Sequence, residues 1–260
     1  MNKEQINPMV SIITPTYNAE SFIIDTIESV RQQNYSNWEM IVIDDHSKDN
    51  TVKTVKEMMS QEPRIRLIER SKNEGPARTR NAGLREAKGR YIAFLDSDDQ
   101  WLPNKLASQI AFMQSTGAAL SYTSYNRIQL HADGRKEIKP VIVPETVSYK
   151  QLLKKNVIGC LTVMIDQDQT GPIQMADIRS RQDYALWLDL TRRGFTALGI
   201  PKPLANYRVR VDSLSSNKLK MAKQNWRVYR DIEKLSLPVA IWYFIHYAIL
   251  KSWEYVHYIK

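Results

Sequence analysis

Asp96-Ser97-Asp98-Asp99 sets three carboxylates side by side at the end of an apolar run, Tyr91 to Leu95. Like charges so close repel one another unless a cation sits among them. Carboxylate oxygens are hard ligands, so the cation they suit is Mg²⁺ or Mn²⁺. The plain alternative is a solvated loop whose Asp caps a helix opened by Gln100-Trp101-Leu102-Pro103. Two other apolar runs end the same way. Met9 to Ile13 leads through Thr14-Pro15-Thr16 to Tyr17 and Asn18, and Trp38 to Ile43 leads to Asp44 and Asp45. A nucleotide can use such groups together: Tyr17 to stack on a base, Asp45 to accept from a base N–H, and a metal to bridge a diphosphate to the later carboxylates. Arg78 and Arg80, at a helix start, can favour the base or the phosphates. Taken singly, these residues also read as a turn tyrosine, helix caps and surface charge.

The elements that must position them follow from periodicity. Short β-rich runs cover Met9 to Ile13, Trp38 to Ile43, Arg64 to Ile68 and Tyr91 to Leu95, and Pro15 is expected to stop the first. Helical spacing fills the intervals: Phe22, Ile23, Ile27 and Val30, then Val52, Val55 and Met59, then Ala77 to Ala87, ended by Gly89. The order βαβαβαβ predicts a parallel, doubly wound sheet over residues 9 to 96, whose strand ends share one edge. Beyond Asp99 the pattern is mixed. A helix is expected over 104 to 115, and a strand over 118 to 130 leads into a hairpin turn at Ala132-Asp133-Gly134-Arg135. Helix signals cover 146 to 156, a buried strand 159 to 165, and a helix 178 to 194.

Composition sets bounds. The chain has 260 residues, 43% apolar and 25% charged, as an ordinary globular protein does. Its single cysteine, Cys160, allows no internal disulfide and fits a reducing compartment, and Met1 to Pro8 carries no signal-peptide core. A cytoplasmic location is expected. Formal net charge is +9, and residues 202 to 234 hold nine Lys/Arg against three Asp/Glu. That segment suits nucleic acid, an anionic membrane surface or phosphorylated small molecules, or is a solvated helix face. The tail from Lys218 is helical. Its apolar run, Leu237 to Leu250, falls short of the ~20 residues that span a bilayer. Its Trp242, Tyr243, Tyr247, Trp253, Tyr255 and Tyr258 fit a membrane interface, packing on the body, or a homodimer contact equally well.

Other nucleotide and catalytic motifs are missing. No G-x-G-x-x-G follows the first strand, and no G-x-x-x-x-G-K-[ST], C-x-x-C, H-E-x-x-H or G-x-S-x-G occurs.

The residues that are present resemble a known family. Val10-Ser-Ile-Ile-Thr-Pro-Thr-Tyr-Asn18, Ile41-Val-Ile-Asp-Asp-His-Ser47, Asn81-Ala-Gly83 and Gly89-Arg-Tyr-Ile-Ala-Phe-Leu-Asp-Ser-Asp-Asp99 look like the family 2 glycosyltransferases of GT-A fold. Arg181-Gln-Asp-Tyr-Ala-Leu-Trp-Leu188 and Asn206-Tyr-Arg-Val-Arg210 continue the likeness. Bacterial members build cell-wall, capsular and teichuronic-acid-type polysaccharides.

The resemblance implies an α/β, Rossmann-like, mostly parallel central sheet with helices on both faces. It implies an inverting, Mn²⁺- or Mg²⁺-dependent transfer from a nucleotide-diphospho-sugar, usually UDP-linked, to a saccharide or lipid-linked acceptor. Pro15, Tyr17, Asp45 and Arg80 would line the base pocket. Asp96-Ser97-Asp98 matches the family's D-x-D, with Asp98 on the metal, Asp96 on the ribose or metal, and Asp99 supporting them or capping the next helix. The family's Glu-Asp pair reads Gln182-Asp183 here, so Asp183 would be the general base, with Asp189 a weaker second candidate. Tyr207, Arg208 and Arg210 would close over the diphosphate, and Gly159 to Thr162 would lie on the acceptor side. Gln224-Asn-Trp-Arg227 resembles, without matching, the Q-x-x-R-W signature of processive synthases, which favours single addition. The expected division is 1–99 for the nucleotide-sugar, 100–215 for acceptor and catalysis, and 216–260 for a basic, aromatic helical tail. The competing readings are a sugar nucleotidyltransferase and a non-catalytic nucleotide-sugar binder; nucleic acid is disfavoured because no basic–aromatic β-platform appears.

Overall fold

The computed structural model describes residues 7–131, 134–209 and 218–258, with side chains left out at 218–219 and 252–258. Its first part alternates as the pattern requires: β1 (Val10–Thr16), α1 (Ile23–Arg31), β2 (Trp38–Asp44), α2 (Thr51–Gln61), β3 (Ile65–Glu69), α3 (Pro76–Glu86) and β4 (Tyr91–Phe94). These strands are parallel in the order β3-β2-β1-β4. Both faces are covered, which is why the strands read as apolar runs rather than alternations. Val10 and Ile12 face one core cluster, and Ile13 faces the other.

Pro15 does not stop β1: the ladder to β2 continues through Pro15↔Ile43 and Thr16↔Asp44. Backbone groups of alternate residues point to alternate neighbours, and Ile13, like Pro15, faces β4. The β4 ladder ends at Ile13↔Phe94, with Leu95 N–H bonding the Ile13 carbonyl at 3.1 Å. Pro15 therefore lacks a donor where no ladder partner needs one.

After Asp99 the chain leaves the sheet and returns to extend it. β5 (Gln100–Trp101), β6 (Leu120–Leu130), β7 (Lys136–Val141), β8 (Thr146–Val147), β9 (Met164–Asp166) and β10 (Ala197–Arg208) join, giving the order β3-β2-β1-β4-β9-β6-β10-β5. β9 runs antiparallel to β4 and β6, while β10 is parallel to β6. The β6–β7 pair brackets the expected hairpin turn, of which residues 132–133 lie outside the described residues. β10 escapes the sequence pattern because Pro201 and Pro203 argue against a strand. Its register against β6 shifts between Ile200 and Pro203 and again before Asn206, so irregularities absorb both prolines.

The expected strand over 159 to 165 is instead a 3₁₀ turn, Cys160–Thr162, followed by β9. Side chains satisfy its carbonyls in place of a ladder. Trp101 Nε1 donates to the Leu161 carbonyl at 2.8 Å and Gln109 Nε2 to the Thr162 carbonyl at 2.9 Å. The remaining helices are α4 (Lys105–Thr116), α5 (Tyr149–Lys154), α6 (Gln167–Thr170), α7 (Gln182–Arg192), α8 (Lys218–Arg227) and α9 (Leu237–Tyr258), with a π turn, Val228–Ile232, after α8. α7 starts later than its apolar pattern suggests. The segment before it is held to α3 instead: the Asn81 amide donates to the Met175 carbonyl and accepts from Met175 N–H, both at 2.8 Å. Gly83 explains how α3 lies so close to the sheet, since a Cβ there would sit 2.5 Å from Ile43 Cδ1 and 3.0 Å from Ile13 Cγ2.

Lys105 is fully buried, with its ammonium 4.1 Å from the centre of the Trp101 ring and bonded to Gln109 Oε1 at 2.8 Å. Burial pushes its pKa down to about 7. The unfolded chain then holds a proton that the fold gives up, so Lys105 makes stability rise with pH between about 7 and the ordinary lysine pKa of ~10.4, with no slope below that window. Lys105→Met should remove that slope. The test is Tm at pH 6.5 and 9 for both proteins, and an identical difference in the variant would refute the assignment.

Candidate functional site

The acidic loop is built from backbone outward. Asp99 N–H bonds the Asp96 carbonyl at 3.0 Å, closing a turn that leaves Asp96, Ser97 and Asp98 partly exposed and Asp99 buried. The Thr26 hydroxyl of α1 lies 2.9 Å from the Ser97 carbonyl and 2.8 Å from that of Asp99. From the other side, Arg208 N–H donates to Asp99 Oδ1 at 2.9 Å, and Arg208 Nε to the Asp98 carbonyl at 3.1 Å. Burial, then the charges of Asp98 and Asp96, push the Asp99 carboxyl well above the usual carboxylate range. Asp99 does not cap α4, whose N-cap is Asn104; it ties the loop to the end of β10.

Behind the loop lies Arg80. It is 5% exposed, pairs with Asp96 through Nη2, and has no hydrogen-bond partner for the buried Nε and Nη1. Burial opposes its charge, but the neighbouring carboxylates of Asp96 and Asp183 hold its pKa above the ordinary guanidinium value. Asp183 lies in the first turn of α7. α7 is fixed against β4 by Trp187, which is fully buried and edge-on to Phe94 at 5.9 Å. The Cys160 thiol faces the same group. Burial raises its pKa, Arg80 opposes the rise, and Asp96, Asp183 and Asp99 add to it, so the thiol stays neutral. Three chain segments far apart in sequence thus meet around one cation.

The base-pocket candidates lie on the neighbouring strand ends. Asp45 is buried, and its carboxylate accepts from Glu74 N–H at 2.9 Å and Gly75 N–H at 2.8 Å. Gly75, at φ 85°, supplies the left-handed turn that aims these donors and begins α3. A carboxylate has about four lone-pair sites, so Asp45 keeps acceptor capacity for a ligand. Tyr17, 49% exposed, follows Pro15 at the β1 end. Asn18, at φ 48°, links the β1 and β2 ends by its bonds to Ser47 and Lys48.

Residues 11–167 match the model of glycosyl transferase family 2. The chain belongs to that family. It is 47% identical over 241 residues to TuaG of Bacillus subtilis, named for teichuronic acid biosynthesis, covering 93% of this chain and 95% of TuaG. It is 38% identical over 244 residues, 93% of each chain, to WfgD of Escherichia coli, a UDP-Glc:α-D-GlcNAc-diphosphoundecaprenol β-1,3-glucosyltransferase. The fold is shared with S. aureus TarS in complex with UDP-GlcNAc, with TM-score 0.71 and 19% identity over 92% of this chain and 71% of that one. It is shared also with the Pyrobaculum calidifontis mannosyltransferase PcManGT in complex with GDP-Man and Mn²⁺, with TM-score 0.68 and 16% identity over 94% of this chain and 74% of that one. The GT-A arrangement is therefore that of a family 2 glycosyltransferase.

Other sequence candidates of this family 2 chain lie elsewhere or are differently engaged. Arg78 pairs with Asp177 at 2.7 Å and Glu74 at 3.4 Å rather than facing the loop. Asp189 pairs with Arg192 at 2.7 Å. Arg208 is spent on the acidic loop, on Asp25 at 3.1 Å and on the Phe22 ring, while Tyr207 stacks edge-on against Tyr125. Arg210 lies outside the described residues. Sequence reasoning missed Thr26 and Gln109, and quoted Asn81 in a family motif without seeing its contacts. Thr26 carried a signal, a polar residue on the inward stripe of Ile23, Ile27 and Val30; the other two make contacts that no local pattern encodes.

Asp45→Ala should lower stability by ~1–3 kcal/mol, because two buried N–H groups lose their acceptor. Urea unfolding without nucleotide measures this, and unchanged stability would leave Asp45 with a ligand role alone.

Proposed function

We propose that this chain is an inverting, divalent-metal-dependent transferase. It moves a sugar from a UDP-linked donor to a saccharide or lipid-linked acceptor in cell-surface polysaccharide synthesis, at the cytoplasmic face of the membrane. The observation that carries the reading is buried Arg80, which pairs with Asp96 of the acidic loop and feels the charge of Asp183 at the start of α7. The names of TuaG and WfgD support the pathway class, a UDP-linked donor and a lipid-diphosphate acceptor.

In this reading residues 1–99 hold the nucleotide-sugar, with Tyr17 and Pro15 against the base, Asp45 accepting from it, Arg80 beside it and Asp96 toward the ribose. Residues 100–215 hold the acceptor. Asp183 takes the acceptor hydroxyl proton as the new C1–O bond forms on one face of the sugar and the C1–O bond to the diphosphate breaks on the other. Among the described residues no group of three or more His, Cys, Asp or Glu is arranged to hold a metal. Mg²⁺ and Mn²⁺ sites of this kind are completed by substrate phosphates on one or two carboxylates, which fits Asp98 with Asp96. Burial first, and then the charges of Asp98 and Asp96, raise the Asp99 carboxyl, and an ion on the loop would relieve the second of these. When bound, the ion neutralises charge on the departing diphosphate.

Asp98→Ala should abolish the Mn²⁺-dependent part of the thermal shift produced by UDP-sugar, and an undiminished shift would sink the metal assignment. Asp183→Asn should bind donor as the wild type does while transfer falls ~10²–10⁴-fold; full transfer would reject Asp183 as base.

A further inference from the structure

We propose that Arg181 binds the phosphates of a diphosphate-linked acceptor while Asp183 takes the proton of its sugar hydroxyl. Arg181 is the N-cap of α7, two residues before Asp183, and holds a left-handed backbone at φ 68°. That conformation is uncommon for a residue with a Cβ and gathers at ligand clamps and active sites. The guanidinium is held by neutral groups. Nη2 donates to the Tyr247 hydroxyl of α9 at 3.3 Å, and the guanidinium carbon stands 5.9 Å from the Tyr184 ring centre and 5.8 Å from that of Tyr247. No carboxylate among the described residues pairs with it. The acids around it are engaged elsewhere. Asp177 pairs with Arg78 at 2.7 Å, Asp189 with Arg192 at 2.7 Å, and Asp183 acts on Arg80. Glu233, whose charge reaches Tyr184, accepts from the Tyr149 hydroxyl at 2.7 Å and lies 3.4 Å from Arg192.

The polar atoms left over are donors. Arg181 Nε is buried and has no acceptor. Asn225 of α8, 2% exposed, has none for its buried Nδ2. The Asn225 amide and the charge of Arg181 act on the same Tyr229 hydroxyl, so the two unpartnered donors share one neighbourhood. The Tyr229 and Tyr184 hydroxyls are turned to the carbonyls of Leu153 and Leu152. α7 runs 11 residues and no side chain caps its start, so its first N–H groups add to the donors. Exposed Arg179 adds a second positive charge to the same segment. Interiors leave few polar groups without partners, and each costs free energy until something satisfies it. Unpartnered donors around a guanidinium that no acid neutralises fit an anion.

Position identifies the anion. In the transferase reading the donor's diphosphate belongs to the ion at Asp98, and Asp183 meets the acceptor hydroxyl. An inverting displacement brings the acceptor in opposite the departing diphosphate. A second anion next to Asp183 therefore belongs to the acceptor. In a single-sugar acceptor one ring separates the attacking hydroxyl from the phosphates that carry the lipid, and Asp183 and Arg181 stand two residues apart to meet them. A guanidinium matches phosphate oxygens better than an ammonium does. The identity of the occupant rests on the proposed transfer to a lipid-linked acceptor, whereas the anion site itself does not.

Isothermal titration of the full chain tests the proposal, with UDP and Mn²⁺ present to fill the donor site. The probes are N-acetylglucosaminyl diphosphate bearing an octyl chain, octyl N-acetylglucosaminide without the phosphates, and inorganic pyrophosphate. The diphosphate probe should bind about tenfold or more tighter than the neutral glycoside. Arg181→Gln should bring that ratio to about one, and Arg181→Lys should keep part of it, since lysine retains the charge without the planar fork. A bracing role alone predicts a lower Tm for Arg181→Gln with the ratio intact. That result, or equal binding of the two glycosides by the wild type, overturns the proposal. So does pyrophosphate binding as tightly as the diphosphate probe, which would assign the site to a free anion. If the ratio holds while no nucleotide-sugar gives a thermal shift, the transferase reading fails and the anion site stands.

Discussion

A buried guanidinium organises this molecule. Arg80 lies in α3, within the interior, and a charge there is tolerated only among counter-charges. Asp96 comes from the end of β4 and pairs with it, and Asp183, from the start of α7, acts on the same charge. The two unpartnered guanidinium nitrogens remain as donors in the same place. Remove that charge and both carboxylates would be left without its compensation.

The supports around this centre are mostly backbone bonds. Thr26 and Arg208 hold the acidic loop from opposite sides, Asp45 gathers the start of α3, and Asn81 fixes the segment leading to α7. Trp101 and Gln109 hold the turn that brings Cys160 beside Arg80. Each is a side chain satisfying main-chain groups that no strand or helix could satisfy, the usual requirement where a sheet edge opens into loops. Rigid placement of acids in this manner suits chemistry that depends on position more than on flexible closure.

The same economy of contacts reaches the tail. α9 uses one face to close the core beneath α7 and leaves the other, equally apolar, outside. Packing within the monomer accounts for the first face and not for the second.

The sequence alone determined the parallel first half of the sheet. Its strands are continuous apolar runs, its helices repeat at 3.6 residues, and its polar groups stand where those runs end, so local pattern and parallel topology together bring Tyr17, Asp45 and the acidic loop to one edge. The strings around Asp98 and Asp183 were visible as family motifs because they are short and contiguous. Only the tertiary structure decided the rest. It carried β1 through Pro15 because the missing donor faces a strand that has already ended, and it made a strand of 197–208 because bulges accommodate two prolines. It assigned Asp99 to Arg208 rather than to a helix cap, turned Arg208 toward the loop, and set Arg80 between acids sixteen and 103 positions away in sequence. The physical reason is the same in each case. Which backbone groups need partners, and which charges need neutralising, depends on what neighbouring segments leave unsatisfied, and neighbours in space are not neighbours in sequence.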